Sequence, residues 1–364
     1  MMHQTPPQKT FSVAVLDWYV THARRLPWRS LPGEHPDPYH VWLSEIMLQQ
    51  TTVATVGPYF RKFLDRWPNV VEMAAAPLDD ILTAWAGLGY YARARNLHKC
   101  AITVAREHNG VFPGDMAELL ALPGIGPYTA AAISAIAFGQ PETVVDGNIE
   151  RIISRLYRIS TPLPAAKKEI TEYAAKLTPR HRPGDYAQAL MDIGAGICLP
   201  RNPKCSVCPV SGYCKAFATD DMESYPVKAP KKIKPTRRAT IFWVQRPDGQ
   251  VLIRRREEKG LLGGMMEFPS TDWAEDAVET EAAIEHLLQG QTPGLLRGVS
   301  VHKPVRHTFT HFHLELQPVA AQLVSADTLS IDGAIWVDPD EFDSYALPTL
   351  MIKVARAVLE SSSS

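Results

Sequence analysis

The chain has 364 residues, 45% of them hydrophobic, with 38 Lys plus Arg against 39 Asp plus Glu. This length predicts two or three domains, and the hydrophobic share excludes a largely disordered chain. No apolar run approaches the ~20 residues of a membrane span, and Met1 to Thr10 lack a charged-then-apolar leader, so the expectation is a soluble cytosolic protein with no membrane partner.

Apolar positions recur at helical spacing through Phe11–Tyr19, Val41–Gln50, Val53–Leu64, Leu78–Trp85 and Asn96–His108, then through Met116–Leu122, Thr129–Phe138 and Ile149–Leu156. Pro and Gly punctuate them at Pro113-Gly114, Pro123-Gly124, Gly126-Pro127 and Asp146-Gly147. The pattern predicts an all-α domain over 1–225. Residues 226–238, rich in Lys and Pro, read as an extended linker. Beyond it, short apolar runs at Ala239–Val244, Val251–Arg255 and Phe312–Leu316 predict strands, and Thr280–Leu288 and Leu347–Leu359 predict helices. The second domain, 239–360, is therefore mixed α/β, and the four closing serines read as a disordered tail.

The net charge of −1 conceals an asymmetry. Residues 1–225 carry 22 basic and 21 acidic side chains, 226–238 carry six basic and none acidic, and 239–364 carry 10 basic and 18 acidic. A basic connector joining a neutral half to an acidic half leaves room for an anionic partner, although a solvated linker has the same composition.

Four of the five cysteines form the set Cys198-x6-Cys205-x2-Cys208-x5-Cys214, with Pro200, Pro203, Pro209 and Gly212 between them. Soft thiolates on a compact, turn-rich loop suit a tetrahedral zinc ion or an iron–sulfur cluster, and the spacing alone does not separate the two. Four sulfur ligands leave no open position, which points to a structural centre. Arg201 and Lys204 on the same loop could meet a phosphate backbone or simply face water. Cys100, in a helical stretch, reads as a small buried hydrophobe.

The string Leu122-Pro123-Gly124-Ile125-Gly126-Pro127-Tyr128-Thr129-Ala130 lies between two helical stretches. Gly124 and Gly126 allow a tight turn with free N–H groups, and the following helix start adds its positive dipole end. Such a turn holds nucleic-acid phosphate without reading sequence. It resembles the helix-hairpin-helix DNA-binding motif.

Two carboxylates sit in surroundings suited to chemistry. Glu45 shares a helix face with Val41, Trp42 and Leu48, so desolvation should raise its pKa and suit it to general-acid work; a structural buried Glu is the alternative. Asp146 reads as a helix N-cap, where backbone N–H groups and the dipole keep it ionised; a plain cap is the alternative. A protonated Glu with an ionised Asp is an acid-plus-stabiliser pair for cleaving glycosidic bonds.

Taken in order, Leu26-Pro27-Trp28-Arg29, Ser44-Glu45-Ile46-Met47-Leu48-Gln49-Gln50-Thr51, Gly87-Leu88-Gly89-Tyr90-Tyr91, the hairpin, Val145-Asp146-Gly147-Asn148 and the cysteine set resemble the adenine DNA glycosylases of the helix-hairpin-helix superfamily (the MutY family), over nearly the whole chain. The resemblance implies an all-α helix-hairpin-helix glycosylase domain with a cluster loop, followed by a Nudix-like α/β domain. It implies a 4Fe-4S cluster on Cys198, Cys205, Cys208 and Cys214. It implies excision of adenine mispaired with 8-oxoguanine or guanine in double-stranded DNA, with the adenine flipped out of the stack. Glu45 would protonate the adenine, and Asp146 would stabilise the oxocarbenium-like sugar, by charge or by transient covalent capture. Trp28, Arg29 and Gln188 match positions near the adenine; Gln49, Gln50, Thr51 and Tyr90 match strings that meet the opposite base and the duplex.

Position 128 separates relatives. Endonuclease III-like members that also cut the strand carry a Lys there; Tyr128 cannot form a Schiff base, which implies a monofunctional enzyme. The segment Arg306–Phe312 matches the family's 8-oxoguanine recognition loop, with Phe309-Thr310-His311 where Phe-Ser-His is usual. The string R-E-x-x-E-E of a working Nudix hydrolase does not follow Gly263-Gly264, and Glu267 alone does not replace it. The competing expectations are an endonuclease III-like glycosylase with lyase action and a non-catalytic iron–sulfur DNA-binding protein. A monomer is expected, cytoplasmic and nucleoid-associated if bacterial.

Overall fold

The computed structural model describes residues 10–230, 233–288, 294–325 and 329–362. The leader reading of Met1 to Thr10, the linker residues Lys231 and Lys232, and Ser363 and Ser364 fall wholly or partly outside them. Among the described residues, no helix is long and apolar enough to cross a membrane. The chain divides into two compact units, residues 1–75 with 96–231, and residues 76–95 with 232–364.

The helical part runs α1 (Phe11–His22), α2 (Pro38–Leu48), α3 (Val53–Arg66), α4 (Val70–Ala75), α5 (Leu78–Trp85), α6 (Ala92–Glu107), α7 (Met116–Ala121), α8 (Pro127–Phe138), α9 (Gly147–Tyr157), α10 (Lys167–Leu177), α11 (Pro183–Gly196) and α12 (Lys215–Ala218). Helix α5 and residues 92–95 of α6 belong to the second unit. Local chemistry sets several starts. Asp37 accepts from the Tyr39 N–H at 2.8 Å with Pro38 in the first turn, Asp115 accepts from Ala117 and Glu118, and Thr52 accepts from Thr55.

Helix α2 is buried from Val41 to Met47 on every face, and α8 from Thr129 to Ala137. Two helices hydrophobic all round mark the middle of the first unit. Helix α11 approaches the others through glycines. A Cβ at Gly184 would stand 2.6 Å from the Ala135 carbonyl oxygen of α8, and one at Gly194 would collide with the Cβ of Asn148 on α9. These close approaches bring Gln188, Met191 and Asp192 of α11 to the same place as α2 and α9.

Three sequence expectations shift here. The stretch Val41–Gln50 is helical only to Leu48, because Gln50 turns to a φ of 57° and Thr52 then caps α3. Helices α4, α10, α11 and α12 lie outside the sequence expectation; α11 combines three glycines with burial from Pro183 to Gly194, which hides its period. The serine tail is in part helical, since the last helix reaches Ser362.

The second unit holds β1 (Thr236–Gln245), β2 (Val251–Arg255), β3 (Met266–Glu267), α13 (Thr280–Leu288), β4 (Leu296–Val301), β5 (Val305–Thr308), β6 (His313–Leu323), β7 (Ala334–Val337) and α14 (Thr349–Ser362). The sheet order is β3-β2-β1-β6-β4, with β5 also on β6 and β7 also on β2. Among the described strands of this sheet, β1 and β6 pair in parallel and the other pairings are antiparallel. Strand β1 is buried from Ala239 to Val244 because both faces are covered. Ala239, Ile241 and Trp243 join a core with residues of α14, while Phe242 and Val244 join a core with residues of α13. Strand β1 begins at Thr236, within the stretch read as linker.

Candidate active site and cluster loop

A cavity of about 630 Å³ opens in the first unit between α2, α8, α9 and α11. It gathers Trp28, Arg29, Glu45, Gln49, Gln50, Thr51, Tyr128, Asp146 and Gln188, nine of the residues singled out in the sequence. Its size lies within the ~300–1,000 Å³ of sites that enclose small molecules.

Glu45 projects from the buried helix α2 and is 7% exposed. Burial pushes its carboxyl up to about 7; the nearby Asp146 charge adds to this, while a hydrogen bond with Tyr128 and the Arg29 guanidinium oppose it. Burial and the Glu45 charge hold the Tyr128 phenol well above its ordinary range, so it stays protonated. Tyr128 therefore donates its hydrogen bond to Glu45 and supplies no nucleophile.

Asp146 caps α9 as the sequence suggests. Its carboxylate accepts from the Ile149 N–H at 2.7 Å and from Asn148 Nδ2 at 2.8 Å. Burial outweighs these bonds, so the net shift of the carboxyl is upward from the ordinary aspartate range. The capping bonds and Arg151 limit that rise. The two carboxyls thus share one low-dielectric cavity, with Glu45 the more strongly raised.

Several residues that shape the site carried no sequence signal of their own. Asp192 accepts from Arg24 Nε at 2.6 Å and from Arg29 Nη1 at 2.8 Å on each oxygen. Arg151 donates to the Asn148 Oδ1 at 2.9 Å, to the Gly194 carbonyl at 2.7 Å and to the Cys198 carbonyl at 2.7 Å. A charged residue in the otherwise apolar stretch Met191-Asp192-Ile193 is the one hint the sequence offered. Of the expected residues, Trp28 packs edge-on against Phe60 with centroids 5.4 Å apart, and Gln49 donates to the Thr129 hydroxyl at 3.3 Å.

The hairpin forms between α7 and α8. Gly124 has a φ of 76°, and an added Cβ would lie 2.6 Å from Asn96 Cβ, so both conformation and space call for glycine. Gly126 differs from expectation. Its φ of −94° is open to any residue, and nothing lies within 4 Å of an added Cβ. Its contribution is clearance beside the start of α8. Neither glycine lines the cavity.

Cys198, Cys205, Cys208 and Cys214 line a second cavity in the first unit, with Ile152, Leu156 and Val210 among its apolar walls. Among the described residues, no three or more His, Cys, Asp or Glu side chains gather closely enough to hold one metal ion. The four thiols stand around a shared space, and their donor set suits an iron–sulfur cluster. The buried Arg155 donates to the Cys198 sulfur at 3.3 Å and to the Leu199 and Pro200 carbonyls at 2.7 and 3.1 Å. Burial pushes the Cys208 thiol up to about 11. Donor set and surroundings fit the cluster. Cys100 is fully buried, as expected.

The remaining expected residues lie in the second unit. Tyr90, with a φ of 49°, shares a hydrogen bond of 2.8 Å with the Thr310 hydroxyl. Phe309 closes the β5–β6 hairpin through its N–H to the Phe312 carbonyl at 2.9 Å and stacks on Trp273 with centroids 5.7 Å apart. His311 is exposed at the hairpin tip. Glu267 is buried and ion-paired with Arg254 and Arg256. Those partners neutralise the one carboxylate that the sequence left as a remnant of a metal site.

Comparison with known proteins agrees with this geometry. Residues 43–180 match the HhH-GPD superfamily of base excision DNA repair proteins, 198–214 the iron-sulfur binding domain of endonuclease III, and 240–357 the NUDIX domain. An adenine DNA glycosylase of Buchnera aphidicola subsp. Schizaphis graminum is 35% identical over 352 residues, spanning 94% of this chain and 97% of its own. An adenine DNA glycosylase of Homo sapiens is 32% identical over 400 residues, spanning 95% of this chain and 73% of its own. Among solved structures, a thermostable thymine-DNA glycosylase is 32% identical with a TM-score of 0.51, spanning 57% of this chain and 95% of its own. The cysteine loop is thus a 4Fe-4S site, the second unit is Nudix-like, and the chain belongs to the adenine DNA glycosylase family.

Proposed function

We propose that this protein excises adenine mispaired with 8-oxoguanine or guanine in double-stranded DNA, acting as a monomer and leaving an abasic site with the strand intact. The observation that carries the reading is Glu45: a carboxyl raised to about 7, hydrogen-bonded to Tyr128 and sharing a cavity of about 630 Å³ with Asp146.

A duplex hides its bases, so the adenine must leave the stack to reach this cavity. Trp28, Arg29 and Gln188 line the cavity and would hold the extruded base. Protonated Glu45 gives its proton to the adenine as the C1′–N9 bond breaks, and the bonding electrons leave with the base. The positive charge left on the sugar is met by Asp146. Water then adds to C1′, and its released proton returns to Glu45. Tyr128 keeps its proton throughout and offers no amine to capture the sugar. Cys198, Cys205, Cys208 and Cys214 would hold the cluster, whose part would be structural. The Phe309-Thr310-His311 tip of the Nudix-like unit would read the oxidised guanine.

A duplex with one adenine opposite 8-oxoguanine tests this. Strand breaks that appear only after alkali support adenine excision by a monofunctional enzyme. Breaks without alkali favour the glycosylase/lyase alternative, and tight binding without breaks favours a recognition protein.

A further inference from the structure

We propose that Asp192 is a positioning residue that locks the guanidiniums of Arg24 and Arg29 into the base-binding cavity. The inference deepens the proposed excision reaction and rests on it. Arg24 and Arg29 both line the cavity, whereas Asp192 sits behind it on α11. The Asp192 side chain is 1% exposed, and Arg29 is 7% exposed.

Four hydrogen bonds converge on the two Asp192 oxygens. They come from the Arg24 backbone N–H at 3.0 Å, Arg24 Nε at 2.6 Å and Arg29 Nη1 at 2.8 Å to each oxygen. Free arginine side chains sample many rotamers. One shared, buried carboxylate removes that freedom from both at once and offsets like charges brought close together. The carboxylate takes up Arg24 Nε and Arg29 Nη1. The other N–H groups have no partner among the described residues and remain as donors for the acceptor nitrogens of a purine edge. Fixed donors of this kind act through geometry, where small misplacements cost rate more than affinity.

The test compares Asp192→Asn with the wild-type full-length, cluster-loaded protein. Single-turnover excision of adenine opposite 8-oxoguanine is expected to fall about 100-fold, with duplex affinity held within about threefold. Iron–sulfur absorbance and thermal melting are followed alongside. The capture of 2-aminopurine, placed as the target base, is read by its fluorescence and is expected to weaken. Wild-type excision or capture in the folded variant would overturn the inference. So would parallel loss of cluster absorbance and excision that Asp192→Glu restores only together with the fold. If Asp192→Asn fails to fold, Asp192→Glu decides. It keeps the charges paired but displaces both guanidiniums, so slow excision in a folded protein supports positioning and wild-type excision refutes it. If wild-type protein releases no adenine, the functional reading fails, yet loss of 2-aminopurine capture still supports the role of Asp192 and unchanged capture refutes it.

Discussion

Asn148 bonds Asp146 through its Nδ2 at 2.8 Å, and its Oδ1 accepts from Arg151 Nη2 at 2.9 Å. The same Arg151 donates through Nε to the carbonyl of the cluster ligand Cys198 at 2.7 Å. One guanidinium therefore ties the cluster loop to the residue that orients the Asp146 carboxylate. Arg151→Gln is expected to slow single-turnover excision by about 10- to 100-fold, the range typical when an outer partner of a functional group is lost. Cluster absorbance should persist, because Arg155 and the four cysteines remain. An excision rate within twofold of wild type would show that Asp146 needs no such support.

Glu45 links stability to pH. Its carboxyl is raised from 4.5 to about 7, so between those values the native protein keeps a proton that the unfolded chain releases. Its stabilising contribution is fully present below about 4.5 and is lost as pH rises through 7. Glu45→Gln should remove this slope and at pH 8 should be the more stable protein, by about 3 kcal/mol. Denaturant melts at pH 5 and pH 8 check the sign.

In the proposed reaction the same proton would also set the rate. Excision by the wild type should fall on the alkaline side with a midpoint near 7. The Tyr128 hydrogen bond pulls the Glu45 value down, so Tyr128→Phe should move that midpoint to higher pH. A pH–rate profile of the two proteins decides, and a shift in the opposite direction would contradict the assigned contact.

The hairpin is expected to act on binding alone. Gly124 has a left-handed φ of 76° and no room for a side chain beside Asn96. Gly124→Ala should distort the turn by about 1–2 kcal/mol and weaken duplex binding about tenfold. The wild-type affinity should fall steeply between roughly 50 and 200 mM salt, as phosphate contacts require. Excision at saturating protein should change little, because the hairpin glycines do not line the cavity. A fall in the saturated rate with unchanged affinity would place the hairpin in the chemistry.

What the sequence revealed was local. Asp146 announces its cap, Gly124 its turn, and the cysteines their loop, because each effect acts within a few residues. Glu45 is legible from its apolar neighbours along α2. The supporting shell is not local: Asp192 lies 168 positions from Arg24, and Arg151 lies 47 from Cys198. Helix α11, which carries Asp192, is buried from Pro183 to Gly194 and broken by glycines, so it lacks the one-sided stripe that reveals surface helices. In the second unit, β4, β5 and β7 are short or exposed and leave little alternation to detect. The upward shift of Asp146 depends on how deeply the finished fold buries it, which its cap motif does not encode.

In the proposed reaction Glu45 delivers the proton that releases adenine. The most direct measurement is single-turnover release of adenine opposite 8-oxoguanine by Glu45→Gln, paired with duplex affinity. Glutamine keeps the shape and a hydrogen-bonding contact for Tyr128 but has no proton to give. Release is expected to fall at least about 100-fold with affinity held within a few-fold. Release at or near the wild-type rate would contradict it and leave Glu45 as a structural carboxyl.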